Sequence, residues 1–274
     1  MLEPIYEARH FSPHSFACRR GLGTHAALRH AQSGVRRFPY ALACDISKYF
    51  ASLDHEILNA LLRRAIKCEP TLALARTIID GSNPQEEVSR YFPGDDLFTP
   101  GQRRRGLPLG NQTSQFFANV YLSSLDRLLD EQLKPGCWAR YVDDIVLFDH
   151  SKSRLHEMRN AIEDHLDSLR LTLHPRKTRV YTTSEGVTFL GWRLFPTHSR
   201  LARENVVRFG RRMKRVQRDF QAGLLDWPAV DQSVQAWIAH ASFGNTWVLR
   251  QRRLGEFAFV LGARPPRAGG VVQQ

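Results

Sequence analysis

Apolar residues along this chain are spaced in two ways, as short runs typical of strands and at intervals of three and four typical of helices. Residues 40–46 form a short apolar run that ends in a lone acid, which predicts a buried strand. Asp54 stands where a helix cap is expected, because apolar residues repeat at helical spacing behind it. Residues 80–106 are rich in glycine and proline and are expected to form a loop-rich connection.

A long amphipathic helix is expected next, from about Thr113 to Leu133. Residues 140–149 then read Arg-Tyr-Val-Asp-Asp-Ile-Val-Leu-Phe-Asp, in which the adjacent carboxylates Asp143 and Asp144 interrupt two apolar segments. Aspartate is poorly suited to a strand interior but common in turns. The pattern therefore predicts a tight hairpin that carries both acids at its tip. The alternative is a surface turn that merely contains two aspartates.

Apolar residues at steps of three and four predict another helix over 155–169. Residues 178–182 and 187–195 have the pattern of strands, separated by the turn signal Glu185-Gly186. The order of strand, helices, hairpin, helix and strands predicts an α+β domain. Its antiparallel sheet is expected to be covered by helices on one face.

Beyond Pro196 the chain becomes basic and helical. One helical stripe runs from Val206 to Phe220, and Pro228 suits the first turn of a second helix. From residue 199 onward there are 13 Lys+Arg and 5 Asp+Glu, a net charge of +8. The predicted regions are therefore a first domain at 1–198, a basic helical domain at 199–260 and a flexible tail at 261–274.

The charge of the whole chain points to a polyanionic partner. Its 39 Lys+Arg and 27 Asp+Glu give a net charge of +12. Most of the basic residues are arginines, which suit bidentate phosphate contacts better than lysine does. Nucleic acid is the leading expectation, and a soluble protein that is merely basic is the alternative.

Other compositional features point to the cytoplasm. The four cysteines are scattered, without a C-x-x-C pair or zinc-finger spacing, which is typical of reduced thiols. The chain has no signal pattern and no run of eighteen apolar residues. We therefore expect a cytoplasmic protein that does not associate with membranes.

Three carboxylates are candidates for a metal site. Asp45 ends a predicted strand, and Asp143 and Asp144 follow at a hairpin tip roughly a hundred residues later. If both strands belong to one sheet, the three acids can converge at one edge. Carboxylate oxygens suit Mg²⁺ that bridges substrate phosphates better than they suit zinc. Two such ions together can support phosphoryl or nucleotidyl transfer.

Five segments occur in the order of the palm motifs of reverse transcriptases. They are Asp45-Ile-Ser-Lys-Tyr-Phe50, Gly106-Leu-Pro-Leu-Gly-Asn-Gln-Thr-Ser-Gln115, Tyr141-Val-Asp-Asp144, His174-Pro-Arg-Lys177 and Phe189-Leu-Gly191. The chain resembles this family of RNA-directed DNA polymerases over roughly residues 4–260.

Within the family the chain looks most like the reverse transcriptases of diversity-generating retroelements. The segments that carry this finer resemblance are Arg19-Arg-Gly-Leu-Gly-Thr-His25, Leu109-Gly-Asn-Gln-Thr-Ser-Gln115 and Phe189-Leu-Gly-Trp-Arg-Leu-Phe-Pro-Thr-His198. The resemblance implies a right-hand polymerase with a palm and a C-terminal helical thumb. Truncated fingers are expected, because relatives carry finger strands ahead of the segment that starts at Leu2.

The resemblance assigns a catalytic centre. Asp45, Asp143 and Asp144 would hold two Mg²⁺ (or Mn²⁺) ions, with the Ile46 carbonyl as a further ligand. Lys177 matches a lysine proposed to protonate the leaving pyrophosphate. A plain phosphate contact or a solvated charge are the alternatives for Lys177.

The resemblance also assigns residues around the nucleotide. Phe50 matches the aromatic steric gate that clashes with a ribonucleotide 2′-hydroxyl, and an ordinary core phenylalanine is the alternative. Gly110 and Gln115 belong to the expected floor under the nucleotide and the template base. Leu109 replaces the glutamine of most relatives, which fits low fidelity opposite template adenines or else simple packing beside Pro108.

Basic residues are expected to contact phosphates at both ends of the chain. Arg19 and Arg20 would take over part of the triphosphate clamp. Gly191 belongs to the region that resembles a primer grip. A dense basic helix surface would contact the template–primer backbone, unless it is only a solvated face; it consists of Arg211, Arg212, Lys214, Arg215 and Arg218.

The implied function is error-prone synthesis of cDNA on a template RNA. The implied partners are the template RNA, a DNA or RNA primer, deoxynucleoside triphosphates and a basic, oligomeric accessory variability determinant protein. One alternative is a reverse transcriptase of a group II intron or a phage-defence system. Another is a truncated, inactive nucleic-acid-binding remnant.

Overall fold

The computed structural model describes residues 2–82, 90–108 and 110–260. The chain forms two compact units. The first consists of Met1–Leu190 and Leu194–Thr197, and the second of Gly191–Arg193 and His198–Gln274. Apart from Gly191–Arg193, the second unit thus begins at His198, one residue before the predicted start of the basic helical domain at residue 199.

A four-stranded antiparallel sheet forms the centre of the first unit. Its strands are β1 (Tyr40–Cys44), β2 (Cys137–Tyr141), β3 (Asp144–Asp149) and β4 (Arg179–Thr182). They lie in the order β2-β3-β1-β4. The predicted strand at 40–46, the hairpin around Asp143 and the strand at 178–182 are confirmed.

Nine α-helices accompany this sheet among the described residues of the first unit. They are α1 (Glu3–Arg9), α2 (Thr24–Arg37), α3 (Tyr49–Ser52), α4 (His55–Ala65), α5 (Glu69–Asp80), α6 (Thr99–Gln102), α7 (Gln112–Tyr121), α8 (Ser123–Arg127) and α9 (Lys152–Ser168). A short strand, β5 (Val187–Phe189), follows β4.

Side chains of β3 alternate between two apolar layers. Ile145 and Leu147 belong to the main hydrophobic core, to which α4, α5, α7 and α9 contribute most of the helical residues. Phe148 points to the other face, where its ring lies against Gly34 of α2 so closely that a Cβ there would clash. The predicted α+β fold with an antiparallel sheet is confirmed, and the main helical layer covers one face of the sheet as predicted. In addition, α2 covers part of the other face.

The predicted helix behind Asp54 is confirmed as α4. The Asp54 carboxylate accepts hydrogen bonds from the amides of Glu56 at 2.9 Å and Ile57 at 3.1 Å, which is the expected cap.

The single helix predicted from Thr113 to Leu133 is instead a broken helix. It is divided into α7, α8 and a π-helical stretch at Leu128–Leu133. Leu122 separates α7 from α8, and it is completely buried, as are Leu125 and Leu129. The helix is thus interrupted at a position that lies inside the core.

The helices that go beyond the predicted elements include α1, α2, α3 and α5. α2 buries Ala27, Leu28, Ala31 and Val35 at steps of one, three and four. This spacing was a usable helical signal. In the region predicted to be loop-rich, the described residues form one short helix, α6; residues 83–89 lie outside the described part.

The rest of the described chain contains β6 (Trp192–Leu194), β7 (Ser199–Leu201), α10 (Arg203–Gln221), α11 (Trp227–Ala241) and α12 (Trp247–Leu254). The strand predicted over 187–195 is interrupted, because Leu190 and Gly191 both have positive φ, 47° and 80°. Both predicted helices are confirmed: the stripe from Val206 to Phe220 is buried on α10, and Pro228 lies in the first turn of α11.

The tail predicted at 261–274 lies outside the described residues. Within the described residues, no helix combines the length and apolarity needed to span a membrane.

Candidate active site

The sheet brings the three candidate carboxylates to one end. Asp45 directly follows β1, whose last residue Cys44 pairs with Ile145 of β3. This register places Asp45 beside Asp144, the first residue of β3. In the neighbouring hairpin, Tyr141 pairs with Asp144, so that Val142 and Asp143 form a two-residue turn.

The hairpin turn contains a strained residue. Val142 has a φ of 58°, in the left-handed region. A β-branched residue is strongly disfavoured there, at a cost of about 1–3 kcal/mol. Such strain persists only where the surrounding structure imposes it. The position of Asp143 and Asp144 is therefore determined by more than the preference of the turn itself.

Lys177 lies against the first of the three acids. Its Nζ donates hydrogen bonds to the two carboxylate oxygens of Asp45 at 3.1 and 3.0 Å. The hydrogen bond to Asp45 and the attraction of all three aspartates raise the pKa of Lys177, although burial opposes this. The ammonium group therefore stays protonated at neutral pH.

The main chain next to Asp45 is anchored to the segment that carries Lys177. The amide of His174 donates to the Asp45 carbonyl at 2.7 Å, and the amide of Ser47 donates to the Thr172 carbonyl at 2.9 Å. The Ile46 carbonyl takes part in neither bond, and Ile46 itself is buried.

The site holds more negative charge than Lys177 neutralises. Burial raises the pKa of Asp144 to about 7, with Asp143 and Asp45 adding repulsion. Burial also raises the pKa of Asp143, and repulsion by Asp45 adds to the effect. A cation would relieve both effects, and the donors are hard oxygens, so the residues fit a divalent metal ion.

Across the described ranges, no group of three or more His, Cys, Asp or Glu side chains is already arranged as a set of metal ligands. Lys177 Nζ lies 3.0 Å from a carboxylate oxygen of Asp45, so its ammonium group would compete with a cation for this acid.

Phe50 lies on α3, next to the segment that leads to the predicted nucleotide floor. Its carbonyl accepts a hydrogen bond from the amide of Leu107 at 2.9 Å, and its ring lies 5.6 Å from that of Tyr49. Gly110 has a φ of 86°, which favours glycine, and Gln115 is exposed on α7. Leu109 lies outside the described residues, so its predicted role stays a prediction.

The two N-terminal arginines differ in their surroundings. Arg19 is largely buried and bound within its own segment: it pairs with both carboxylate oxygens of Glu7 and donates to the carbonyls of Ser12 and Ser15. Arg20 is exposed. Arg19 therefore fastens the N-terminal segment, whereas Arg20 is open to solvent.

In the second unit, Gly191 has a structural reason to be glycine. Its carbonyl accepts from the amide of Ala202 and the side chain of Asn205, and a Cβ on it would collide with Asn205. The five basic residues predicted to contact nucleic acid are all exposed on α10, namely Arg211, Arg212, Lys214, Arg215 and Arg218.

One buried group near the aspartates was not predicted from the sequence. Arg140, one residue before Tyr141, is fully buried and forms an ion pair with Asp126, and it also contacts Asn119. An arginine inside an otherwise apolar strand was the available signal, since charged side chains are almost never buried without a partner.

Comparison with known proteins identifies the family. The family described as reverse transcriptase (RNA-dependent DNA polymerase) matches residues 1–194. Protein YkfC of Escherichia coli (strain K12) is 25% identical over 244 residues, which cover 75% of this chain and 61% of that protein. An uncharacterized 91 kDa protein in the cob intron of Schizosaccharomyces pombe is 30% identical over 130 residues, which cover 47% of this chain and 15% of that protein.

Among solved structures, telomerase from Candida tropicalis in complex with a TWJ fragment of telomeric RNA has a TM-score of 0.52 at 13% identity. The match covers 73% of this chain and 35% of that one. At this identity the likeness concerns the fold alone, and it confirms the predicted polymerase palm. Because the family match covers most of the chain and the palm fold agrees with it, this chain belongs to the reverse transcriptase family.

Proposed function

We propose that the protein is an RNA-directed DNA polymerase. In this reaction the 3′-hydroxyl of a primer attacks the α-phosphate of a deoxynucleoside triphosphate, and pyrophosphate leaves. The observation that carries the proposal is the convergence of Asp45, Asp143 and Asp144 at one end of the antiparallel sheet. Family membership supports the same activity.

Reverse transcriptases generally use divalent metal ions. In this chain Asp45, Asp143 and Asp144 would hold two Mg²⁺ or Mn²⁺ ions, with the Ile46 carbonyl as a further ligand. When bound, such ions activate the attacking oxygen and stabilise the leaving one. Lys177, which is protonated beside Asp45, would be released as the metal binds and could then donate a proton to the leaving pyrophosphate.

We assign the contacts with the nucleotide to residues around α3 and the start of α7. Phe50 would block a ribonucleotide 2′-hydroxyl, and Gly110 and Gln115 would line the floor under the base. Arg20 would contact the triphosphate, while Arg19 holds its segment in place through Glu7. Template RNA and primer would lie along the exposed basic residues of α10 and beside Gly191.

Two finer assignments follow from different observations. The segments that resemble reverse transcriptases of diversity-generating retroelements favour error-prone cDNA synthesis with a basic accessory protein. The fission yeast relative, named as a protein in the cob intron, favours an intron reverse transcriptase. A template repeat and an accessory-protein gene beside this gene would support the first, and intron sequences around it the second.

Primer extension tests the proposed activity. The chain should extend a primer on an RNA template with Mg²⁺, and Asp143→Asn should lower the rate about 1,000-fold or more, because a metal ligand is lost. Asp231→Asn, an exposed aspartate on α11, is the matched control and should extend normally. Absence of extension by the unmutated chain, with RNA binding retained, would instead indicate an inactive nucleic-acid-binding remnant.

The steric role of Phe50 makes a separate prediction. Phe50→Val should raise the use of ribonucleotides relative to deoxyribonucleotides roughly tenfold or more, because the smaller side chain leaves room for a 2′-hydroxyl. The ratio of kcat/KM for the two nucleotide types measures this. Phe98→Ala serves as the control, because Phe98 is 67% exposed. An unchanged ratio for Phe50→Val would mean that Phe50 is only a core residue.

A further inference from the structure

Arg140 carries a charge in the interior of the first unit. Its side chain has no solvent exposure, although it belongs to β2, which is otherwise apolar up to Tyr141. A guanidinium group removed from water is unfavourable unless hydrogen-bonding partners surround it. The partners of Arg140 therefore explain why an arginine is found at this position.

The first partner neutralises the charge. Asp126 of α8, itself buried, accepts two parallel hydrogen bonds of 2.6 Å from Nε and Nη2 of Arg140. This bidentate geometry is the strongest form of an arginine–carboxylate pair. Burial alone would lower the pKa of Arg140, but the attraction of Asp126 outweighs it and the pKa is raised. The guanidinium group is thus a fixed cation.

The other edge of the guanidinium group faces the hairpin turn. Nη1 donates to the Val142 carbonyl at 3.0 Å and to Asn119 Oδ1 at 3.2 Å. Val142 is the residue in the unfavourable left-handed conformation, and Asp143 and Asp144 follow it directly. The contact therefore holds the strained peptide that determines where the two acids point.

The same residues are tied to the N-terminal segment. The amide of Arg140 donates to the His14 carbonyl at 2.9 Å, and the Arg140 carbonyl accepts from the amide of Phe16 at 2.9 Å. Asn119 Nδ2 donates to the Ala17 carbonyl at 2.9 Å. Asp126 of α8 and Asn119 of α7 thus hold the guanidinium group, and the segment that leads to Arg19 holds the main chain of Arg140 and the side chain of Asn119.

We propose that Arg140 is a positioning residue for the metal-binding acids, acting through its contact with the Val142 carbonyl while Asp126 and Asn119 hold it in place. The inference rests on the proposed function for the role of Asp143 and Asp144. It adds a part of the site that does not touch metal, nucleotide or primer. Removing the contact should let the turn relax away from its strained conformation and move both acids.

The test is Arg140→Lys. Lysine retains a charge for Asp126 but, with a single ammonium group, cannot also reach Val142 in the planar geometry of arginine. The dissociation constant for Mn²⁺, measured from the electron paramagnetic resonance signal of free Mn²⁺, should rise about tenfold or more. Hydrogen exchange, followed by mass spectrometry, should quicken in the peptide that covers the hairpin tip.

The matched control is Arg154→Lys in α9, because Arg154 pairs with Asp149 at the end of β3 that lies away from the hairpin tip. Arg154 Nη1 donates to the buried Asp149 at 2.8 Å, so this variant tests the effect of changing another arginine–aspartate pair of the same sheet. Both Mn²⁺ affinity and exchange at the tip should stay as in the unmutated chain.

A second variant tests the same inference in case Arg140→Lys does not fold. Asp126→Leu combined with Arg140→Met replaces the buried pair by apolar groups, a change that proteins often tolerate. It should weaken Mn²⁺ binding as Arg140→Lys does. Native Mn²⁺ affinity and native exchange at the tip in either folded variant would overturn the inference.

Failure of the proposed function has a different signature. If the unmutated chain binds Mn²⁺ no better than Asp143→Asn does, the assignment of a metal site to these acids is wrong. The exchange comparison between Arg140→Lys and the unmutated chain still tests whether Arg140 holds the turn in that case.

Discussion

Replacing Asp144 with asparagine is expected to stabilise the metal-free protein while it abolishes primer extension. Burial and the repulsion of Asp143 and Asp45 raise the pKa of Asp144 to about 7, well above the ordinary value of an aspartate. A carboxyl group whose pKa is higher in the folded than in the unfolded chain opposes folding once the unfolded form has ionised. Asparagine removes this opposition together with a metal ligand.

The sign of the effect gives a pH window. Below about pH 4 the carboxyl group is protonated in both states, so Asp144→Asn and the unmutated chain should be equally stable. The difference should grow between about pH 4 and 7 and be complete above it. With a discount for the partial exposure of the group, we expect a gain of about 1–3 kcal/mol at pH 8, a rise of a few degrees in Tm.

Thermal unfolding with and without Mg²⁺ measures this prediction. Mg²⁺ should raise the Tm of the unmutated chain, because a ligand that binds only the folded state stabilises it. The same addition should do little for Asp144→Asn, whose primer extension should fall about 1,000-fold or more. A metal-free Tm that drops at pH 8 would contradict the view that the three acids repel one another in this site.

Replacing Asp54 with alanine is expected to lower the free energy of unfolding by about 3–5 kcal/mol. Asp54 is only 1% exposed. One carboxylate oxygen caps α4 through the amides of Glu56 and Ile57, and the other pairs with Arg170 at 2.7 Å and Arg103 at 3.4 Å. Alanine therefore removes a helix cap and leaves two arginines without this partner.

The control for Asp54 is its exposed neighbour Glu56. Glu56 also pairs with Arg170, at 3.2 Å, but its side chain is 82% exposed, so that Glu56→Ala should change the stability by at most about 1 kcal/mol. Urea unfolding of both variants measures the two effects. Equal losses in the two variants would show that burial does not set the strength of these pairs.

Elements with strong local signals were predictable from sequence. The cap at Asp54, the apolar stripe of α10 and the hairpin around Asp143 each depend on residues close together in the chain. The spacing of apolar residues and the turn preference of aspartate are enough to predict such features. The candidate acids could be named for the same reason, since each lies at the end of an apolar strand.

Long-range partners could not be predicted in this way. Arg140 pairs with Asp126 across fourteen positions of the chain and with the carbonyl of Val142. Its apolar neighbours in the sequence indicate burial, but nothing in the local pattern identifies either partner. Arg19 shows the same difficulty, because its pairing with Glu7 depends on how the N-terminal segment turns back on itself. The break at Leu122 also has no local signal, since leucine favours helices and the apolar spacing continues through this position.

The sequence by itself determined the family, the strands that carry the acids and the basic helix, because periodicity and motif spacing are properties of the chain alone. Only the tertiary structure decided that Asp45 lies beside Asp144, that Lys177 pairs with Asp45 and that Arg140 contacts the strained turn at Val142. The physical reason is that burial and charge pairing depend on distances between residues far apart in sequence. Those distances exist only once the sheet has formed.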